Sequence, residues 1–293
     1  MLSTSLPTTH RKLNGPSAKV APALLCFTTY GLTVRLKVYP PRLIEEVRCC
    51  LPPGWMSEQH CASGHSISIV REERQAADAV TRVTAGGKRI VETVSWPEAL
   101  HSLESHLQLY VAEWCRQRIF VHAGVVGFRG KAIVLPGRSF SGKSTLVAAL
   151  LKAGAEYLSD EYAVLDQAGQ VHSYPRRLSL RTGDGSKLHR KTAEDFCSRT
   201  CLGPLPVGLV AVLRYVPGGS RPTSASRGST AMALIKNTIP IRRRPGLCLE
   251  VIQRALAHAD CLQGIRGEAE DAAEWLISAV SDDVGQEDRS VAA

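Results

Sequence analysis

The spacing of apolar positions along the chain changes period several times, and each change marks an element. From Leu24 the run through C-F-T-T-Y-G-L-T-V-R-L-K-V alternates about Gly31 and is rich in β-branched residues, which predicts one or two strands. Pro40, Pro41, Pro52 and Pro53 break the chain, and His65–Val70 and Lys88–Val94 predict further strands. From Trp96 to Cys115 the period lengthens. Leu100, Leu103, Leu107, Val111 and Trp114 recur at helical spacing, with Pro97 and Glu98 suited to a first helical turn. R-I-F-V-H-A-G-V-V alternates again, G-F-R-G supplies a turn and K-A-I-V-L returns, so Ile119–Val126 and Lys131–Leu135 predict an antiparallel hairpin. Leu146, Ala149, Leu150 and Ala153 place a helix over Ser144–Ala153, stopped by Gly154. A-E-Y-L-S-D-E-Y-A-V-L-D then predicts strand, acidic turn and strand, with a turn at Gln167–Gln170. Thr182–Arg199 is polar and basic with partial helical character, Val216–Thr230 has the composition of a flexible loop, and Gly246–Val280 carries two helical patterns.

These elements divide the chain into a small β-rich N-terminal domain over residues 21–95 and an α/β domain over 96–283, flanked by aperiodic tails at 1–20 and 284–293 expected to be disordered. An apolar fraction of 44% and a charged fraction of 22% fit a soluble globular chain. The longest apolar run, Val20 to Val34, contains Pro22 and is too short to span a bilayer, so no membrane segment and no targeting sequence is expected. The net charge of +9 favours acidic partners such as nucleotides, phosphorylated ligands or acidic peptides. It does not point to nucleic acid, because the arginines are scattered apart from Arg242, Arg243 and Arg244 and aromatic residues are few. Nine cysteines, an odd number with no paired C-x-x-C spacing, suggest reduced thiols in a cytoplasmic protein. Two groups nevertheless raise zinc as a candidate: Cys49, Cys50, His60, Cys61 and His65, and His189, Cys197 and Cys201.

The hairpin's second strand feeds into G-R-S-F-S-G-K-S, which fits the phosphate-binding pattern G-x-x-x-x-G-K-[ST] at every fixed position. Glycines let backbone N–H groups curl around phosphate oxygens, Lys143 can reach the terminal phosphates, and the Ser144 hydroxyl can ligate Mg²⁺. The context the motif needs, a strand before and a helix after, is met. Gly137, Arg138, Ser139, Phe140, Ser141, Gly142, Lys143, Ser144 and Thr145 are therefore the nucleotide-binding candidates. A carboxylate at the end of a strand near such a loop can hold Mg²⁺ or accept a proton from an attacking hydroxyl, which singles out Asp160 and Glu161. With Ser144 they form the candidate metal set. His122, on the strand that pairs with the one entering the loop, joins Asp160 and Lys143 as a catalytic candidate.

H-A-G-V-V at His122, A-I-V-L-P-G-R-S-F-S-G-K-S-T-L, L-L-K-A-G-A-E-Y-L-S-D-E and Y-P-R-R-L-S-L-R up to Arg181 together resemble, in order and spacing, the HPr kinase/phosphorylase-like serine kinases. G-L-V-A-V-L-R-Y-V-P-G-G at Gly208 and I-P-I-R-R-R-P-G-L-C-L-E-V-I at Ile239 are more distantly similar, and the N-terminal unit with Y-G-L-T-V at Tyr30 is similar to that of biosynthesis-associated members. The resemblance implies a P-loop kinase domain of the HPr kinase/phosphoenolpyruvate carboxykinase-like type. It also implies ATP and Mg²⁺ as cofactors, and a peptide or small protein carrying an acceptor serine as partner. By it, Asp160 is the general base, His122 orients or tunes it, and Lys143 neutralises charge on the transferred group. The chain departs from the family at Glu161, where a second aspartate is usual, at Ser179, where the family has glutamate, and in the C-terminal motif, which disfavours the reverse dephosphorylation. Two other readings are open: an ATP-binding regulatory or partner-binding module without efficient transfer, and a kinase of a small-molecule hydroxyl. A homo-oligomer is compatible with all three.

Overall fold

A computed structural model describes residues 21–61, 64–73, 79–138, 141–181 and 188–282. Both expected tails, at 1–20 and 284–293, lie outside the described residues, as do Ser139 and Phe140 of the candidate loop. The architecture is mixed α/β, in two compact units: the main division falls inside one long helix, after Glu104, and the short segments Thr28–Leu32 and Pro52–Met56 belong to the second unit.

The first unit is built on a six-stranded sheet. Its strands are β1 (Ala23–Thr29), β2 (Leu32–Tyr39), β3 (Met56–Ser57), β4 (His65–Glu73), β5 (Ala79–Ala85) and β6 (Lys88–Thr93), with a short helix α1 (Ile44–Arg48) after β2. The order is β3-β1-β2-β4-β5-β6, with β2 and β4 parallel and β4, β5 and β6 antiparallel. Alternation in the sequence becomes alternation of burial: Val34, Leu36 and Val38 of β2, Ile67 and Ile69 of β4 and Val83 of β5 all point into one core. The Glu58 N–H donates to the Cys26 carbonyl at 2.8 Å, which brings the following segment alongside β1. Cys61 thereby meets Cys26 and the two form a disulfide, Cα to Cα 5.8 Å, so the expectation of reduced thiols does not hold for this pair. The helix α2 (Trp96–Trp114) follows, with Ala99, Leu103, Leu107 and Val111 buried along its stripe.

The second unit contains β7 (Ile119–Phe128), β8 (Lys131–Pro136), α3 (Lys143–Lys152), β9 (Glu156–Ser159), β10 (Tyr162–Leu165), β11 (Val171–His172), β12 (Leu178–Arg181), β13 (Leu188–Lys191), β14 (Val207–Tyr215), β15 (Thr223–Ser224), α4 (Arg227–Asn237), α5 (Pro245–Ala255), β16 (Asp260–Arg266) and α6 (Ala269–Asp282). Its eight-stranded sheet runs β11-β10-β7-β8-β14-β16-β15, with β9 on β7 and a separate β12-β13 ribbon. The hairpin β7–β8 is antiparallel, whereas β8, β14 and β16 are mutually parallel neighbours, so their carboxyl ends share one edge. Odd positions of β7 (Ile119, Val121, Ala123, Val125) pack with α4 and α5 on one face of the sheet. Val126, Ile133 and Leu135 pack with α3 and α6 on the other, giving a helix–sheet–helix layering. The predicted stripe of α3 was only half its contact surface. Val147, Ala148 and Leu151 are buried too: Val147 lies against Gly124 of β7, and Ala272, Ala273, Leu276 and Val280 of α6 join the same core.

Two expectations give way. In Thr182–Arg199, where the sequence predicts partial helical character, residues 182–187 lie outside the described residues and the rest holds the strand β13 and a short 3₁₀ helix at Glu194–Phe196. The expected flexible stretch Val216–Thr230 holds β15 and the first residues of α4, whose N-cap Ser226 accepts the Ser229 N–H at 3.1 Å.

Candidate functional site

The site is assembled where β7, β8, α3 and the β9–β10 turn meet. The even residues of β7 share one face: Gly124 and Val126 meet α3, Phe120 packs with Val111, Tyr162 and Tyr174, and His122 lies between them. Gly124 is required by the helix above it, since a Cβ there would lie 2.7 Å from Val147 Cγ2 and 3.8 Å from Lys143 Cβ. The His122 carbonyl accepts the Gly137 N–H at 3.3 Å, which ties the histidine strand to the start of the loop.

The loop leaves β8 at Pro136 and enters α3 through Gly142, whose φ of +82° is a left-handed conformation that favours glycine. Gly142 is the N-cap and has no side chain with which to cap the helix, so among the described residues no cap bond occupies the first-turn N–H groups, which suits them to an anionic acceptor. Lys143 folds back across the loop and donates to the Arg138 carbonyl at 2.7 Å. Burial lowers the pKa of its ammonium, with Glu161 and Asp160 opposing. Thr145 is exposed on the same first turn.

The acidic pair sits in the turn from β9 to β10. Ser159 Oγ accepts the N–H of Glu161 at 3.1 Å and of Tyr162 at 3.0 Å, which bends the chain. Asp160 turns inward and is 8% exposed. Its Oδ2 accepts from Ser144 Oγ at 3.4 Å and from the Ser179 N–H at 3.2 Å, and its Oδ1 lies 3.2 Å from the Tyr157 hydroxyl. Burial raises its pKa, reinforced by Glu161 and opposed by the Ser179 N–H, Arg176 and Tyr157. Glu161 turns the other way. Tyr162 and His122 are direct partners in the β10–β7 ladder, and Glu161 Oε1 comes 3.4 Å from His122 Nε2. Burial works to raise the Glu161 pKa, but the His122 hydrogen bond and charge, with Arg176 and Lys143, outweigh it and the net shift is downward. Two adjacent carboxyl groups are thus driven in opposite directions.

No protein-family model matches the chain, and no curated protein matches it. The functional argument therefore rests on this geometry.

Of the candidates proposed from sequence, Gly137, Arg138, Ser141, Gly142, Lys143, Ser144 and Thr145 lie on the loop and first helical turn, Ser144 meets Asp160, and His122 meets Glu161. The histidine's carboxylate partner is Glu161, not Asp160. The residues present fit a phosphate and a divalent cation: an uncapped helix N-terminus, a lysine, and a hydroxyl bonded to a carboxylate. Among the described residues no three His, Cys, Asp or Glu side chains converge on a common point, at this site or at either zinc candidate. Among the described residues no helix is long and apolar enough to cross a membrane.

Sequence reasoning missed Tyr157 and Arg176, which act on the acids through a hydroxyl and a charge. It also missed Arg266, whose Nη2 donates to the Gly142 carbonyl at 3.1 Å. Arg176 was within reach as part of Y-P-R-R, but Arg266 lies in a strand with no motif around it.

Proposed function

We propose that the chain is an ATP-dependent serine kinase with a P-loop domain of the HPr kinase-like type, acting on a peptide or small protein. The observation that carries the reading is the contact of Ser144, first-turn hydroxyl of the loop helix, with Asp160 at 3.4 Å, beside the Glu161–His122 pair. This is the arrangement needed to hold a polyphosphate next to a proton acceptor. The first-turn N–H groups and Lys143 bind the β- and γ-phosphates, and Ser144 with Asp160 and Glu161 forms the side on which Mg²⁺ would be held. The metal, when bound, supplies charge neutralisation on the phosphate oxygens.

Asp160 accepts the proton of the acceptor serine as that oxygen bonds to the γ-phosphorus and the bond to the bridging oxygen of ADP breaks. A carboxyl whose pKa is raised by burial is the better base of the two near neutral pH. Glu161, kept anionic by His122, fixes the local charge. ATP as donor implies a cytoplasmic setting, where the Cys26–Cys61 bridge would meet a reducing environment.

The test is transfer of labelled γ-phosphate to serine peptides by wild type and Asp160→Asn, with ATP binding followed in parallel. Transfer should fall about 10²–10⁴-fold in the variant while ATP still binds. Binding without transfer by either protein would favour a nucleotide-binding module for the peptides tried. A Lys143→Ala variant that binds ATP as tightly as wild type would remove the basis of the reading.

A further inference from the structure

Arg266 ends β16 at the edge where the carboxyl ends of β8, β14 and β16 meet, which is where open α/β sheets place their ligands. It is 4% exposed, and among the described residues no carboxylate comes within ion-pair distance of it, although Glu268 and Glu270 act on it through charge. Its two hydrogen bonds go to backbone carbonyls: Nη1 to Gly267 at 2.9 Å and Nη2 to Gly142 at 3.1 Å. The guanidinium carbon lies 5.1 Å from the centroid of the Tyr215 ring. With Ser141, Gly142, Lys143 and Leu146 it lines a small cleft of about 10 Å³. Both cations beside the loop, Lys143 and Arg266, thus rest on loop carbonyls.

A buried guanidinium without an anion is in an unfavourable state that an arriving anion relieves, and its planar fork matches phosphate oxygens. Burial lowers its pKa, while the charges of Glu268 and Glu270, with Tyr215, act from beyond hydrogen-bond distance to raise it. Gly142 accommodates this neighbour because it has no side chain: a Cβ there would lie 2.6 Å from Arg266 Nη2.

We propose that Arg266 is a second phosphate-binding cation of this site, holding the loop by the Gly142 carbonyl and turning onto the terminal phosphate when a nucleoside triphosphate binds. The inference rests on the nucleotide reading above. It assigns Arg266 the discrimination of triphosphate from diphosphate.

The experiment is calorimetric titration of wild type, Arg266→Gln, Arg266→Lys and Lys143→Ala with ATP and with ADP in the presence of Mg²⁺, alongside thermal melting. In Arg266→Gln the ATP affinity should fall about tenfold to a hundredfold and the ADP affinity by less than about threefold, so that the preference for triphosphate collapses. If the glutamine variant does not fold, Arg266→Lys, which keeps the charge and loses the fork, should still weaken ATP more than ADP. An unchanged ATP-to-ADP ratio overturns the proposal. So does an equal loss for both nucleotides with a lower melting temperature, which would make Arg266 a structural clamp. Wild type that binds no nucleotide would overturn the nucleotide reading itself. Loss of ATP binding in Lys143→Ala with an unchanged ratio in both Arg266 variants would sink this inference alone.

Discussion

Replacing Gly124 by alanine tests whether α3 is seated on β7 as the site requires. The new Cβ would lie 2.7 Å from Val147 Cγ2, closer than carbon atoms tolerate, and Val147 is fully buried, so it cannot swing into solvent. Overpacking of this kind costs roughly 1–3 kcal/mol, against a gain of about 0.4–1 kcal/mol from restricting the unfolded chain. The clash wins, with a net loss of roughly 1–2 kcal/mol. Val147→Ala alone loses two buried carbons and should cost roughly 2 kcal/mol. In the double variant the offending methyl is gone and the new Cβ fills part of the gap. The pair should therefore be more stable than the sum of the singles by about 1–2 kcal/mol, as expected for side chains in contact. Urea midpoints at constant m-value measure this cycle. ATP titration should also show Gly124→Ala weakened and the double variant partly restored, because Lys143 and Ser144 move with α3. Additivity within about 0.5 kcal/mol would refute the packing argument.

Opposite pKa shifts predict opposite stability effects of neutralising the two acids. Asp160, raised above 3.8, contributes stability that is full below that value and lost as pH rises through its folded pKa, so Asp160→Asn should be more stable than wild type at pH 7, with the advantage vanishing on acidification. Glu161, lowered below 4.5, contributes stability present above that value and lost as pH falls through its folded pKa, so Glu161→Gln should be less stable at pH 7 and converge with wild type in acid. Melting temperatures of the three proteins between pH 3.5 and 7 check both signs, and a destabilised Asp160→Asn at pH 7 would contradict the first. Tyr157→Phe removes a buried hydroxyl that donates to the Arg176 carbonyl at 2.8 Å and lies 3.2 Å from Asp160, and should cost about 1–3 kcal/mol. Since that hydroxyl lowers the Asp160 pKa, the acid limb of the pH–rate profile should move to higher pH in the variant; an unmoved limb would detach Tyr157 from the base.

The parts of the fold legible in the sequence were those with strong local periodicity. β7 and β8 are apolar, β-branched runs on either side of a Gly-containing turn, and α2 and α3 carry apolar residues at helical spacing. The strand β16 was hidden for a physical reason. D-C-L-Q-G-I-R has no clean alternation and contains Asp, Gln and Gly, because it is covered unevenly by β14 and the two-residue β15. The helix α4 was masked by its first turn, where Arg227, Gly228 and Ser229 resemble the preceding loop; the Ser226 cap was the overlooked signal. At the site, the loop, His122 and the acidic pair were visible as motifs, but their pairing was not. Whether His122 meets Asp160 or Glu161 depends on the β7–β10 register, which no local pattern encodes. Tyr157 lies inside the segment that carries the acidic pair but no pattern marks its role, Arg266 lacks a motif altogether, and only folding brings them to Asp160 and Gly142.

That register bears on the exchange of an aspartate for Glu161. Asp160 and Glu161 are consecutive, and the Ser159 turn sends their side chains to different partners. The inward carboxyl must be short, because Ser144 Oγ, Tyr157 and the Ser179 N–H surround it within 3.4 Å and it is nearly sealed from solvent. The outward one bridges to His122 across the ladder at 3.4 Å, and a side chain one methylene shorter would withdraw from that contact by about one carbon–carbon bond. The extra methylene at 161 and the histidine at 122 are therefore complementary. Glutamate there keeps an ionised neighbour beside Asp160, and the charge on that neighbour is among the effects that raise the Asp160 pKa. Glu161 acts on Asp160 through the field, with no direct contact needed, so under the proposed kinase reading the longer acid at 161 would favour proton abstraction at 160.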